Sequence, residues 1–171
     1  MITDDDVYLR PISATDRTEY LDLTRCSKAL HDPWISPPTS NHTFDLYVMR
    51  LARDDHVGLA VCSSANHVIV GVININNIVR GSFQSASLGY YVNVDYRGKG
   101  YMSKGLEKVK ARAFTRLGLH RLEANIQPGN RPSIALVKRA GFQCEGLSPG
   151  YLYIDGAWRD HERWACINPR P

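Results

Sequence analysis

Tyr96-Arg97-Gly98-Lys99-Gly100-Tyr101-Met102-Ser103 is the stretch on which the reading of this chain turns. It lies between a strand-like run, Ser87 to Val94, and a segment whose apolar residues recur at helical spacing. Two glycines let the backbone turn tightly and bring its N–H groups together. The helix that follows offers unpaired N–H groups and the positive end of its dipole. Such a turn can cradle a pyrophosphate, and Arg97, Lys99 and Lys104 add positive charge. Two other phosphate loops are excluded. A dinucleotide fingerprint needs a third glycine where Ser103 stands. A Walker A loop needs Lys and then Ser or Thr after its second glycine, but Gly105 is followed by Leu106. By itself a G-x-G also reads as a plain tight turn.

Downstream of the turn, Met102, Leu106, Val109, Ala113 and Leu117 form one apolar helical stripe. His120 to Gln127 reads as a strand with Leu122, Ala124 and Ile126 on one side. A shorter helix follows, with Asn130 near its cap, Pro132 in its first turn and Gly141 just past its end. The chain closes with a hairpin, Tyr151 to Ile154 and Ala157 to Ile167 around Asp155-Gly156. Upstream, Leu59 to Cys62 and Val68 to Ile75 make another hairpin. Val7 to Arg10 is a short strand, and Ser13 with Asp16 starts a helix to about Leu30. His31 to Pro38 holds three prolines and is a loop, after which Thr43 caps a second helix. The order β-α-α-β-β-β-α-β-α-β-β predicts an α/β (α+β) domain with a mixed sheet and helices on both faces.

The chain has 171 residues, which suits a single domain over 1–171. Its apolar share, 43%, is that of a globular protein. The formal charge of +4 mildly favours acidic ligands and is too small to indicate nucleic-acid binding. No run of about 18 apolar residues suggests a membrane span. The acidic start, Thr3-Asp4-Asp5-Asp6, is unlike a secretory signal. The four scattered cysteines read as reduced thiols of a cytoplasmic protein. The dispersed histidines give no reason to expect a metal.

Taken together, Tyr91-Val92-Asn93-Val94, Arg97-Gly98-Lys99-Gly100, His120 to Ile126, Asn130-x-x-Ser133 and Ala140-Gly141-Phe142 resemble the GNAT family of acetyl-CoA-dependent N-acetyltransferases. Within it the resemblance is to the RimJ/RimL branch, which acetylates protein N-terminal amines, and it spans about residues 7 to 166. It implies the GNAT fold, a mostly antiparallel mixed sheet splayed at the cofactor site. It implies acetyl-CoA as co-substrate, with its pantetheine arm paired along Val92 and Val94. The pyrophosphate would take N–H groups from Arg97, Gly98, Lys99, Gly100, Tyr101, Met102 and Ser103, and Asn130 would hydrogen-bond the arm. Met102 departs from the family loop, which usually carries Gly or Ala there; main-chain donation survives the change.

The chemistry asks for a neutral amine, a polarised thioester and a partner for the departing thiolate. By the resemblance, the Val92 N–H is a donor to the oxyanion. Glu123 is the candidate base, directly or through a water; it also reads as an ion-pair partner of Arg121 or a nearby lysine. Ser133 is the candidate donor to the thiolate, with a water, Tyr151 or Tyr153 as alternatives; a serine in a first turn also commonly bonds backbone N–H groups. A glutamate that some relatives carry near Tyr151 to Tyr153 is absent here. Transfer is expected to be direct, in a ternary complex. The loop His31 to His42, holding Trp34, is the candidate acceptor wall and also reads as a rigid connector with Trp34 buried; Trp34 and Tyr151 are the candidate acceptor contacts, with Arg80 to Ser85 as an opposite wall. The expected acceptor is a protein or peptide N-terminus. A small amine (an antibiotic, polyamine or amino acid) and a non-catalytic acyl-CoA-binding module are the alternatives, in a monomer or homodimer.

Overall fold

The computed structural model describes residues 1–169; Arg170 and Pro171, the last positions of the expected domain, lie outside the described residues. The chain runs β1 (Val7–Pro11), α1 (Arg17–Cys26), α2 (Lys28–His31), α3 (Asn41–Leu51), β2 (Val57–Ser63), β3 (Ile69–Val79) and β4 (Ser85–Val92). It continues through α4 (Tyr101–Thr115), β5 (Arg121–Ile126), α5 (Arg131–Arg139), β6 (Gln143–Ile154) and β7 (Ala157–Ile167). One seven-stranded sheet results, in the order β1-β2-β3-β4-β5-β7-β6. Every neighbouring pair is antiparallel except β4 and β5, which are parallel. A parallel pair needs a crossover, and α4 supplies it. No helix among the described residues is long and apolar enough to cross a membrane.

Both faces of the sheet are covered, as the patterning predicts. Leu59, Val61, Ile73 and Ile75 pack with Leu106, Val109 and Ala113 of α4 and Ile134 and Val137 of α5. On the other face Ala60, Cys62, Val72 and Tyr91 pack with Tyr20 and Leu21 of α1 and Phe44 and Tyr47 of α3. Strand alternation in β2 thus sends successive residues to the two cores.

Several boundaries differ from the sequence reading. The first helix is broken at Ser27, whose buried hydroxyl accepts the Val94 N–H at 2.9 Å. The cap of α3 is Ser40, which accepts the Thr43 N–H at 3.2 Å; Thr43 is the reciprocal partner inside the helix. β4 stops at Val92 because the Asn93 side chain accepts the Asp95 N–H and caps a 3-10 turn over Val94–Tyr96. β6 starts eight residues before Tyr151, at Gln143. The stretch before Tyr151 carries Gly146, Pro149 and Gly150, shifts register twice, and lies exposed at the sheet edge. No apolar alternation marks it, so only Tyr151 to Ile154 is legible as strand.

The helix that follows the glycine turn sits close to the sheet because of Gly105. A Cβ there would lie 2.9 Å from both Cγ atoms of Val61. Gly105→Val should therefore lift α4 and destabilise the protein by about 1–3 kcal/mol, the usual cost of overpacking. Thermal unfolding checks this; an unchanged Tm would show that α4 does not depend on that approach.

Candidate active site

The site begins where β4 and β5 part. Their pairing runs from Ser85↔Arg121 to Leu88↔Ala124 and then ends. Each strand nevertheless keeps its outer partner: Val92 still faces Gly71 of β3, and Ile126 still faces Glu162 of β7. Between the two a cleft of about 610 Å³ opens, a volume suited to a small-molecule ligand.

The Asn93 N–H donates to the Val70 carbonyl at 2.9 Å. Ladder alternation then turns the amide and carbonyl of Tyr90 and Val92 away from β3, toward the split. The Val92 carbonyl accepts from His31 Nε2 at 2.9 Å. His31 is buried, which pushes its imidazole pKa below the ordinary value, so the neutral ring donates through Nε2–H. Two backbone groups of the expected pairing edge, the Val92 carbonyl and the Val94 amide, thus already have side-chain partners, His31 at the end of α2 and Ser27 at the α1–α2 junction.

Ahead of α4, Gly98 and Gly100 both have positive φ, +74° and +96°. A Cβ at Gly100 would meet only Ile2, at an ordinary 3.6 Å, so backbone conformation rather than space requires glycine there. The Arg97, Lys99 and Ser103 amides bond locally to carbonyls, at 3.1–3.4 Å. Those of Gly98, Gly100, Tyr101 and Met102 make no hydrogen bond among the described residues. With the helix dipole, such unbonded amides are able to hold an anion. Lys104 is tied to Asp4 at 3.0 Å, whereas Arg97 and Lys99 form no ion pair among the described residues.

Across the split, Asn130 caps α5, accepting the Ser133 N–H at 3.3 Å. The Ser133 hydroxyl lies 2.6 Å from that of Tyr90, and both residues line the cleft. Burial pushes the Tyr90 phenol up to about 12. Glu123, also on the wall, is 13% exposed and accepts from Arg121 Nε at 2.7 Å and Arg163 Nη2 at 2.8 Å. Burial raises its pKa, but the two guanidinium groups outweigh this and hold it below the usual carboxylate value. Arg163 lies 4.8 Å over the Tyr151 ring, which places Tyr151 in the site. Tyr153 is 63% exposed, packs on Trp158 and does not line the cleft. Trp34 lines the cleft against Gly129, with Phe83 from the opposite loop and Ser85 at the start of β4.

The structure therefore gathers Glu123, Ser133, Asn130, Trp34 and Tyr151 around one cleft, with Val92 facing the split beside it. Sequence reasoning missed Tyr90, Ser27 and Arg163, and it read His31 as the start of the acceptor wall rather than as the partner of the Val92 carbonyl. Tyr90 could have been flagged by its position two residues before Val92 on the same edge.

A family model described as "Acetyltransferase (GNAT) domain" matches residues 6–143. A relative described as "Probable N-acetyltransferase YjcK", from Bacillus subtilis (strain 168), is 29% identical over 99% of this chain and 98% of its own length. The "[Ribosomal protein uS5]-alanine N-acetyltransferase" of Escherichia coli (strain K12) is 42% identical over 59% of this chain; the match spans about half, 52%, of that relative. Among solved structures, Mycobacterium smegmatis RimJ in complex with CoA-disulfide is 28% identical with a TM-score of 0.86, covering 94% of this chain and 81% of that one. A spermidine N-acetyltransferase from Vibrio cholerae, in complex with CoA and spermine, superposes with a TM-score of 0.81 over 95% of each chain. At 18% identity it shares the fold alone.

Two outcomes follow from this geometry. Gly100→Val strains a left-handed position and should weaken binding of coenzyme A about tenfold or more by calorimetry; unchanged affinity would contradict the cradle. Glu123 has a depressed folded pKa, so its contribution to stability is present above the ordinary glutamate value and is lost as pH falls through the lowered one. Glu123→Gln should cost about 1–3 kcal/mol near pH 7, with the difference from wild type shrinking in acid. Equal melting temperatures at neutral pH would contradict it.

Proposed function

From the premise that the chain belongs to the GNAT family of acetyl-CoA-dependent N-acetyltransferases, we propose that its acceptor is the N-terminal amine of a protein or peptide. The carrying observation is the charge of the cleft. Glu123 is the one carboxylate among its lining residues, and two arginines already hold it. Arg50 and Arg163 line the same space. A polyamine, with several ammonium groups, finds no free carboxylate there, whereas a peptide brings a single α-amine. The uS5-alanine N-acetyltransferase likeness supports the same acceptor class.

The residues present fit coenzyme A. Four unbonded amides, two positive-φ glycines and the cations Arg97 and Lys99 suit its pyrophosphate, and the turned-out edge at Tyr90 and Val92 suits its arm. Acetyl-CoA supplies the activated acetyl group. In this reading the Gly98, Gly100, Tyr101 and Met102 amides hold the phosphates, Asn130 and the Val92 edge align the arm, and Trp34 and Tyr151 flank the acceptor.

An α-ammonium has pKa of about 8, so roughly a tenth is neutral at pH 7 without help. The nitrogen–carbon bond forms, the carbon–sulfur bond breaks, and its electron pair goes to sulfur. Ser133 donates a hydrogen bond to that sulfur. The nitrogen releases one proton, which Glu123 accepts through a water. Once bonded to the carbonyl carbon the nitrogen is far more acidic than a free ammonium, so a weakly basic carboxylate suffices.

The test is release of free thiol from acetyl-CoA with N-terminally free peptides and with spermidine. Peptides should be preferred at least about tenfold in kcat/KM, the effect of one unmatched charge. A preference for spermidine would overturn the acceptor class, and turnover with neither would favour a binding module.

A further inference from the structure

We propose that Tyr90 is a positioning residue that aims the Ser133 hydroxyl at the sulfur of the leaving thiolate; this rests on the reading of Ser133 given above. Tyr90 lies on β4 just beyond the last β4–β5 pair, Leu88↔Ala124. Ser133 lies in the first turn of α5, which follows β5. Their 2.6 Å contact therefore joins the two sides of the split where the sheet itself no longer does.

A serine hydroxyl carries one hydrogen and can accept through its lone pairs. If that hydrogen went to Tyr90, none would remain for sulfur. The phenol is the stronger acid of the two, and Ser133 is its one hydrogen-bond partner among the described residues. Tyr90 thus donates to Ser133 Oγ, and the serine hydrogen is left to point elsewhere. The Ser133 backbone is fixed separately by the Asn130 side chain, so the hydroxyl rotor is the remaining freedom that Tyr90 removes. A charged acceptor on the serine side strengthens both bonds of the chain, because hydrogen bonds in series polarise one another. Burial raises the pKa of Tyr90, so the phenol keeps its proton and has a hydrogen to donate.

The test compares wild type, Tyr90→Phe, Ser133→Ala and the double variant. The thiol of bound coenzyme A is titrated by its ultraviolet thiolate absorbance, with the desulfo-coenzyme A complex as blank. Phenylalanine preserves the ring packing, and an unchanged Tm confirms it. Tyr90→Phe should reduce the bound thiolate fraction at a given pH roughly tenfold, lowering kcat in parallel with KM unchanged. In the Ser133→Ala background it should add nothing further. If Ser133→Ala shifts the thiol while Tyr90→Phe does not, Ser133 works without the tyrosine and the inference fails while the reading of Ser133 stands. If Tyr90→Phe has its full effect without Ser133, the tyrosine acts independently and the inference also fails. A silent Ser133→Ala removes the reading of Ser133 and the inference with it.

Discussion

A β-strand carries its hydrogen-bonding groups along both edges, and none of them can be buried without a partner. In this protein β4 loses its neighbour after Leu88 and keeps only β3. The exposed edge of Tyr90 and Val92 must therefore be satisfied by something other than a strand. His31 answers one carbonyl and Ser27 the Val94 amide just beyond. That need explains why the first helix breaks at Ser27 and why a histidine is buried at the end of α2. It also leaves a strand-like edge facing a cleft, where an extended ligand with its own amides can take the place of the missing strand.

The glycine turn belongs to the same arrangement. β4 leads through the 3-10 turn at Val94–Tyr96 into Gly98 and Gly100, and α4 then crosses to β5. Edge, unbonded amides and crossover helix are thus consecutive in the chain. Gly105 sets how near α4 lies to the sheet, so the packing of one helix fixes where the unbonded amides point. Positive charge continues into the cleft, where Glu123 is neutralised by arginines from its own strand and from β7.

Much of this was legible in the sequence because the relevant residues are punctuation. Gly98 and Gly100 record a left-handed backbone, and Asn130, Pro132 and Gly141 frame α5. Leu122, Ala124 and Ile126 alternate because β5 buries one face. What was not legible depends on distant partners. Glu123 is gripped by Arg163, 40 residues away, and no local spacing announces that pair. Tyr90 sits in an apolar strand and looks like core until α5 brings Ser133 to it. Ser27 looks like an ordinary helix residue until Val94 arrives. The stretch of β6 before Tyr151 carries glycine and proline and takes its strand form from pairing with β7.

In the proposed reading, the main-chain groups freed by the β4–β5 split, with the amides ahead of α4, grip coenzyme A. Amide hydrogen exchange with and without coenzyme A tests it most directly. Slower exchange at Gly98, Gly100, Tyr101 and Met102 and along the Tyr90–Val92 edge, with β1 and β2 unchanged, is the expected result. Saturable binding with protection elsewhere and none at these amides would contradict it.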